Sequence, residues 1–178
     1  MTKNFKYIFS LVIMTTAFSA AALAQLPSLA NVGDDVYTSE EDGFEIAVPD
    51  QCFKVTAATG ERTYTCDLKE GRVSVSISEG DPPLKTDADL ALFLKGFRDT
   101  LAKAPDVKVF GETSAKIGDY RGSAFQITIA GDKTLMIALA WGKFAVVITG
   151  RANSKVENSA ELISSAVQSF TFVSPNKE

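Results

Sequence analysis

The side chains of this sequence that could carry chemistry are two cysteines and a scatter of carboxylates. There are 22 Asp and Glu against 18 Lys and Arg, and no histidine among 178 residues. The missing imidazole removes Ser-His and Cys-His nucleophile pairs, the imidazole general base and every His-ligated metal site. Carboxylate pairs are the acid–base tools that remain. The acids fall mainly in loops, helix caps and exposed strand faces, so no catalytic residue is assigned and a carboxylate-based hydrolase is the least favoured function. The densest acids are Asp34 and Asp35 after Gly33, and Glu40, Glu41 and Asp42 after Ser39. Their spacing lacks the alternating oxygen ligands and closing Glu of a calcium loop. No metal ligand and no cofactor-binding residue is assigned, and a solvated leader is the expectation for this stretch.

Cys52 and Cys66 stand 14 residues apart in strand-like sequence. Residues 52–57 and 61–66 flank Ala58-Thr59-Gly60, which reads as a three-residue hairpin loop with Gly at its left-handed last position. Counting outward from Ala57 opposite Glu61, Thr56 faces Arg62, Lys54 faces Tyr64 and Cys52 faces Cys66 in a non-hydrogen-bonded pair. Such pairs have Cα atoms about 4.5 Å apart, within the reach of a disulfide. Redox-active pairs usually lie within a few residues at a helix start, and a two-Cys metal site would lack its other soft ligands. A structural disulfide is the expectation, consistent with an even cysteine count in an exported chain.

Export is read from the first 24 residues. Lys3 and Lys6 precede an uncharged apolar stretch over residues 7–22, and Ala22-Leu23-Ala24 precedes Gln25. This is the layout of a signal peptide cut between Ala24 and Gln25. The apolar run is shorter than the roughly 20 residues that span a bilayer, and no second long run follows. The expected divisions are a signal peptide at 1–24, a flexible acidic leader at 25–42, one α+β domain at 43–173 and a disordered tail at 174–178. Removing residues 1–24 takes away two Lys and no acid, which moves the formal charge from -4 to -6. Neither nucleic acid nor an anionic membrane surface is an expected partner.

The elements that must position these residues follow from periodicity. Gly43-Phe44-Glu45-Ile46-Ala47-Val48-Pro49 and Arg72-Val73-Ser74-Val75-Ser76-Ile77-Ser78 alternate as strands. Thr86 with Asp89 makes a capping box for a helix carrying Leu90, Phe93, Phe97 and Leu101, stopped by Ala104-Pro105. Strands are expected at residues 107–117, 120–130, 134–141 and 144–149, punctuated by Gly118-Asp119, Gly131-Asp132 and Gly142-Lys143, which makes an antiparallel meander. The last two are apolar on both faces and must be covered on both. A second helix is expected to open at Ser154 with Glu157 and to carry Val156, Ala160, Ile163, Val167 and Phe170, and Ser169-Phe170-Thr171-Phe172-Val173 either prolongs it or, as the preferred reading, returns as a short strand. The fold class is therefore α+β: an antiparallel meander covered by helices, an α/β/α-type sandwich.

Three stretches together resemble the PsbP/Mog-like superfamily: Asp42-Gly43-Phe44-Glu45-Ile46-Ala47-Val48-Pro49, the meander after the first helix, and Ile163-Ser164-Ser165-Ala166-Val167-Gln168-Ser169-Phe170. The resemblance implies an antiparallel sheet between helices and an accessory or binding role. Its relatives include photosystem extrinsic subunits, small-GTPase binders and exported bacterial proteins, and its motifs carry no catalytic residue. The expected function is an exported, non-catalytic, monomeric domain, periplasmic or secreted, that binds a protein of the cell envelope. Carriage of a small apolar ligand between layers is the alternative. Mass spectrometry of the exported form is expected to give a chain beginning at Gln25; retention of residues 1–24 would contradict the export reading.

Overall fold

The apolar stretch of residues 135–148 needs cover on two sides, and the computed structural model shows how it is met. It describes residues 36–48, 52–80 and 83–173. In chain order the elements there are β1 (Tyr37–Ser39), β2 (Phe44–Ile46), β3 (Cys52–Thr56), β4 (Arg62–Leu68), β5 (Gly71–Glu79), α1 (Asp87–Lys103), β6 (Val107–Ile117), β7 (Tyr120–Ile129), β8 (Asp132–Trp141), β9 (Phe144–Ala152), α2 (Ser159–Gln168) and β10 (Thr171–Phe172). Seven strands form one antiparallel sheet in the order β3-β4-β5-β9-β8-β7-β6, and β1-β2-β10 form a second, small one. The class is α+β. The meander runs through β6 to β9, and β5 closes onto β9 with Val75 opposite Ile148. The expected signal peptide, the cleavage position at Ala24 and Gln25, and the tail at 174–178 lie outside the described residues.

Alternation in the central strands divides the core in two. Phe93, Phe97 and Leu101 of α1 join Phe125, Met136, Ala138, Ala145 and Val147 in one buried cluster. Ile163, Ala166 and Val167 of α2 join Val75, Ile77, Leu139, Val146 and Ile148 in the other. Consecutive residues of β8 and β9 thus serve opposite clusters, each buried Val, Leu, Ile or Met side chain contributing about 1.5–3 kcal/mol. Helices alone do not make this cover. Phe44 and Ile46 of β2 sit in the α2-side cluster, so the small sheet shares that face with α2. Phe172 stacks on Trp141 with ring centroids 4.9 Å apart.

The helix starts differ. At α1 the Thr86 hydroxyl accepts the Asp89 N–H at 3.2 Å and the Asp89 carboxylate accepts the Thr86 N–H at 2.9 Å, the expected capping box. At α2 the expected box of Ser154 and Glu157 does not form, and the helix begins at Ser159 behind Asn158, which has φ 57° and no side-chain cap. Asn153 explains the delay. Its side-chain oxygen accepts the Lys155 N–H at 3.1 Å, giving this stretch a local bond that competes with the helix.

One further correction concerns the amino-terminal side. Residues 36–42 are not leader: β1 pairs with β2, Tyr37 opposite Ile46, and Ser39 and Asp42 are buried. The β3–β4 hairpin has the expected register, Thr56 opposite Arg62 and Cys52 opposite Cys66, with Gly60 at φ 84°. The two cysteines are joined in a disulfide with Cα atoms 4.2 Å apart, and closing this loop stabilises the chain by about 3 kcal/mol in the chain-entropy account.

Gly150 of β9 lets α2 approach the sheet. A Cβ there would lie 2.4 Å from Cγ2 of Val167 and 2.7 Å from Cγ2 of Ile163. Gly150→Ala is expected to destabilise the protein by about 1–3 kcal/mol through overpacking, measured by urea unfolding; an unchanged midpoint would mean that α2 does not press on β9.

Candidate functional site

Two acidic side chains are buried among the described residues, Asp42 and Glu70. Asp42, 6% exposed, lies in the turn between β1 and β2. Arg62 donates to it from Nε at 2.9 Å and pairs through its terminal nitrogen at 2.8 Å. The Tyr64 hydroxyl donates to the same carboxylate at 2.5 Å and accepts from the Ser39 hydroxyl at 3.1 Å. Burial, then the bond to Asp42, push the Tyr64 phenol well above its usual range, and the bond to Asp42 raises the Arg62 guanidinium. Lys54 of β3 pairs with Glu41 beside them. The acidic run therefore clamps the small sheet to the β3–β4 hairpin. Glu70, the other buried acid among the described residues, sits in the β4–β5 turn, at the far end of β4 from Arg62. The two carboxylates share no cleft, and no cluster of three metal-ligating side chains occurs among the described residues.

Two surfaces remain open because the helices are offset. α1 packs over β6, β7 and β8, whereas α2 packs over β9, β5 and β8. On the α1 side this leaves the β3–β4–β5 end without a helix. There Phe53 and Val55 are 51% and 47% exposed, beside the hydroxyls of Thr63, Thr65, Ser74 and Ser76 in the neighbouring strands. Thr63 and Ser76 hydrogen-bond at 3.0 Å.

On the α2 side the uncovered part is the stretch of β6 and β7 around residues 108–111 and 126–128; their hairpin end is covered by β10, where the Phe172 ring lies 4.8 Å from that of Tyr120. A groove of about 500 Å³ lies over that stretch, with Phe110, Gln126, Leu135 and Gly150 on the sheet and Ala160 and Ile163 on α2. Phe110 sits at a bulge, where the β6–β7 register shifts between Val109 and Gly111, and is 68% exposed. A bulge re-aims a side chain in this way.

Of the residues assigned from sequence, Cys52 and Cys66 are brought together as described. The Asp42–Arg62–Tyr64 cluster and the Phe110 groove were not anticipated. Gly111 inside a strand pattern is a bulge signal and would have pointed to Phe110. Nothing local in the sequence pairs Asp42 with a residue 20 positions away.

Removing Arg62 leaves the buried Asp42 carboxylate without its cation, so Arg62→Met is expected to cost about 3 kcal/mol, partly recovered in the double variant with Asp42→Asn. An additive double variant, read by chemical denaturation, would contradict the clamp. Because folding raises the Tyr64 ionisation above its usual 10, this stabilisation is present below pH 10 and lost at higher pH. Absorbance titration at about pH 11 is expected to find one tyrosine un-ionised while the fold persists, and Tyr64→Phe to abolish that fraction.

Neither the family models nor the curated protein sequences match the chain. Among solved structures, it is similar to the solution structure of cyanobacterial PsbP (CyanoP) from Synechocystis sp. PCC 6803, with 15% identity and a TM-score of 0.52 over 78% of this chain and 91% of that one. A crystal structure from Bacteroides thetaiotaomicron VPI-5482 aligns with 9% identity and a TM-score of 0.38 over 81% of this chain, which spans about half of that one at 49%. The fold of the chain is thus PsbP-like, as its strand motifs imply.

Proposed function

We propose that the protein is a non-catalytic binding domain that works outside the cytoplasm, its sheet an α/β/α-type scaffold that presents one edge to a protein partner. The observation that carries this reading is the asymmetry of the two sheet edges. β6 is interrupted by a bulge and studded with Lys108, Glu112 and Lys116, features that discourage strand addition. β3 carries Phe53 and Val55 exposed on an edge that the Cys52–Cys66 disulfide fastens to β4. A preorganised edge strand with free backbone groups and two apolar anchors suits pairing with an extended segment of another protein. The hydroxyl strip beside it supplies donors and acceptors for a polar rim. The disulfide fits an oxidising compartment, which supports a periplasmic or secreted location for a monomer that acquires its partner there.

The test is recovery from an envelope extract with the immobilised protein and its Phe53→Glu variant. A specific partner is expected on the first and about tenfold less of it on the second, the loss of one apolar anchor plus a charge placed on the contact. No specific partner, or equal recovery by both, would contradict the reading. Thermal melting of the variant checks that its fold persists.

A further inference from the structure

The groove beside α2 lies on the opposite face and at the opposite end of the sheet from β3, and its chemistry is different. We propose that it binds a free single-chain amphiphile with an anionic head, a fatty carboxylate, independently of any docking at β3. The tail would lie against Phe110, Leu135 and Ile163, and the head beside Lys133 and Lys108.

The apolar half of the groove is the lining already described: an exposed aromatic ring, an aliphatic floor and one side of α2 border an open space of about 500 Å³, within the range that holds small ligands. The charged half comes from register. Lys108 pairs opposite Thr128 in β7, and Thr128 pairs opposite Lys133 in β8. One row on the α2 side of the sheet therefore reads Lys, Thr, Lys, the two lysines two interstrand spacings apart, about 10 Å. The adjacent row holds Gln126 and Leu135. Thr128 and Lys133 both line the groove.

Neither lysine has a carboxylate within ion-pair distance among the described residues, whereas eight of the thirteen other basic side chains there do. Arg151 pairs with Asp132, Arg98 with Glu112 and Arg72 with Asp67. Asp132, next in sequence to Lys133, is committed to Arg151 at 2.8 Å. The nearest acid along α2, Glu161, follows Ala160 and is turned about 100° from it on the helix; it is solvent-exposed. The first turn of α2 faces the groove through Ala160, and its N-terminal N–H groups favour the same sign of ligand charge. Two cations at one end of an apolar trough select an anionic amphiphile over a neutral or cationic one. A free molecule is favoured over a membrane surface because the whole chain is acidic, with formal charge -4, and is repelled by anionic bilayers.

Titration of the purified protein with sodium decanoate, followed by calorimetry and by backbone amide shifts, tests this. The expected result is saturable binding with shifts at Phe110, Gln126, Leu135 and Ile163, and affinity for decyltrimethylammonium, which has the same tail and the opposite charge, at least about tenfold weaker. Lys133→Glu is expected to weaken decanoate about tenfold by replacing a favourable charge with a repulsive one, and Phe110→Ser to weaken both amphiphiles. Both positions are exposed, so their substitution leaves the fold in place, which the amide spectrum verifies. Equal affinity for the two head groups, no effect of Lys133→Glu, or shifts confined to other parts of the molecule would overturn the proposal. So would binding to anionic phospholipid vesicles with no binding of decanoate. Loss of partner recovery by Phe53→Glu with decanoate binding unchanged is the result expected if the two surfaces are separate.

Discussion

Everything in this molecule depends on keeping two neighbouring strands dry on both faces. β8 and β9 are apolar at successive positions, so each strand feeds two cores at once: Ile137, Leu139, Val146 and Ile148 on one side, Met136, Ala138, Ala145 and Val147 on the other. An antiparallel sheet ordinarily leaves one face wet. Here the chain must supply two covers, and it does so with α1 on one face and α2 together with the small β1–β2–β10 sheet on the other. The outer strands are under no such demand. β5 alternates Val and Ile with Ser, and β3 and β6 are largely exposed.

The covers are short relative to the sheet. A helix of 17 residues and one of 10 cannot span seven strands, and each sits over the half of its face where the strands are most apolar. Because the halves are diagonal to each other, two uncovered areas remain at opposite ends and on opposite faces. One is hydroxyl-rich and bordered by an apolar edge strand; the other is an apolar trough with two lysines at its end. Both lie where packing has no use for the surface. The polar clamp of Asp42, Arg62 and Tyr64 belongs to the covers and not to the open areas. It fastens the small sheet to the hairpin that carries β3.

Local physics made much of this legible in the sequence. The capping box of Thr86 and Asp89, the Phe93–Phe97–Leu101 stripe, the glycine turns of the meander and the register that sets Cys52 against Cys66 are interactions between residues close in the chain. What was not legible depends on distant partners. Asp42 looked like part of a solvated acidic run because its cation is in another hairpin. The Phe44 strand was readable as a strand, yet its place in a separate sheet is set by β10, which lies at the other end of the chain. The late start of α2 turned on competition between two local patterns, the Ser154 box and the Asn153 turn, which propensity alone does not rank. The groove depended on one bulge at Phe110, where a single extra residue redirects a ring.

Native-state hydrogen exchange reads the hold of the two dry faces on β8 and β9, because it ranks strands by how firmly they are held. The amides of β8 and β9 are expected to exchange slowest, only through global unfolding, with β5 and β7 next and β3 and β6 fastest. Amides of β9 that exchange as fast as those of β6, while α1 and α2 remain protected, would contradict the view that two dry faces on one pair of strands hold this fold together.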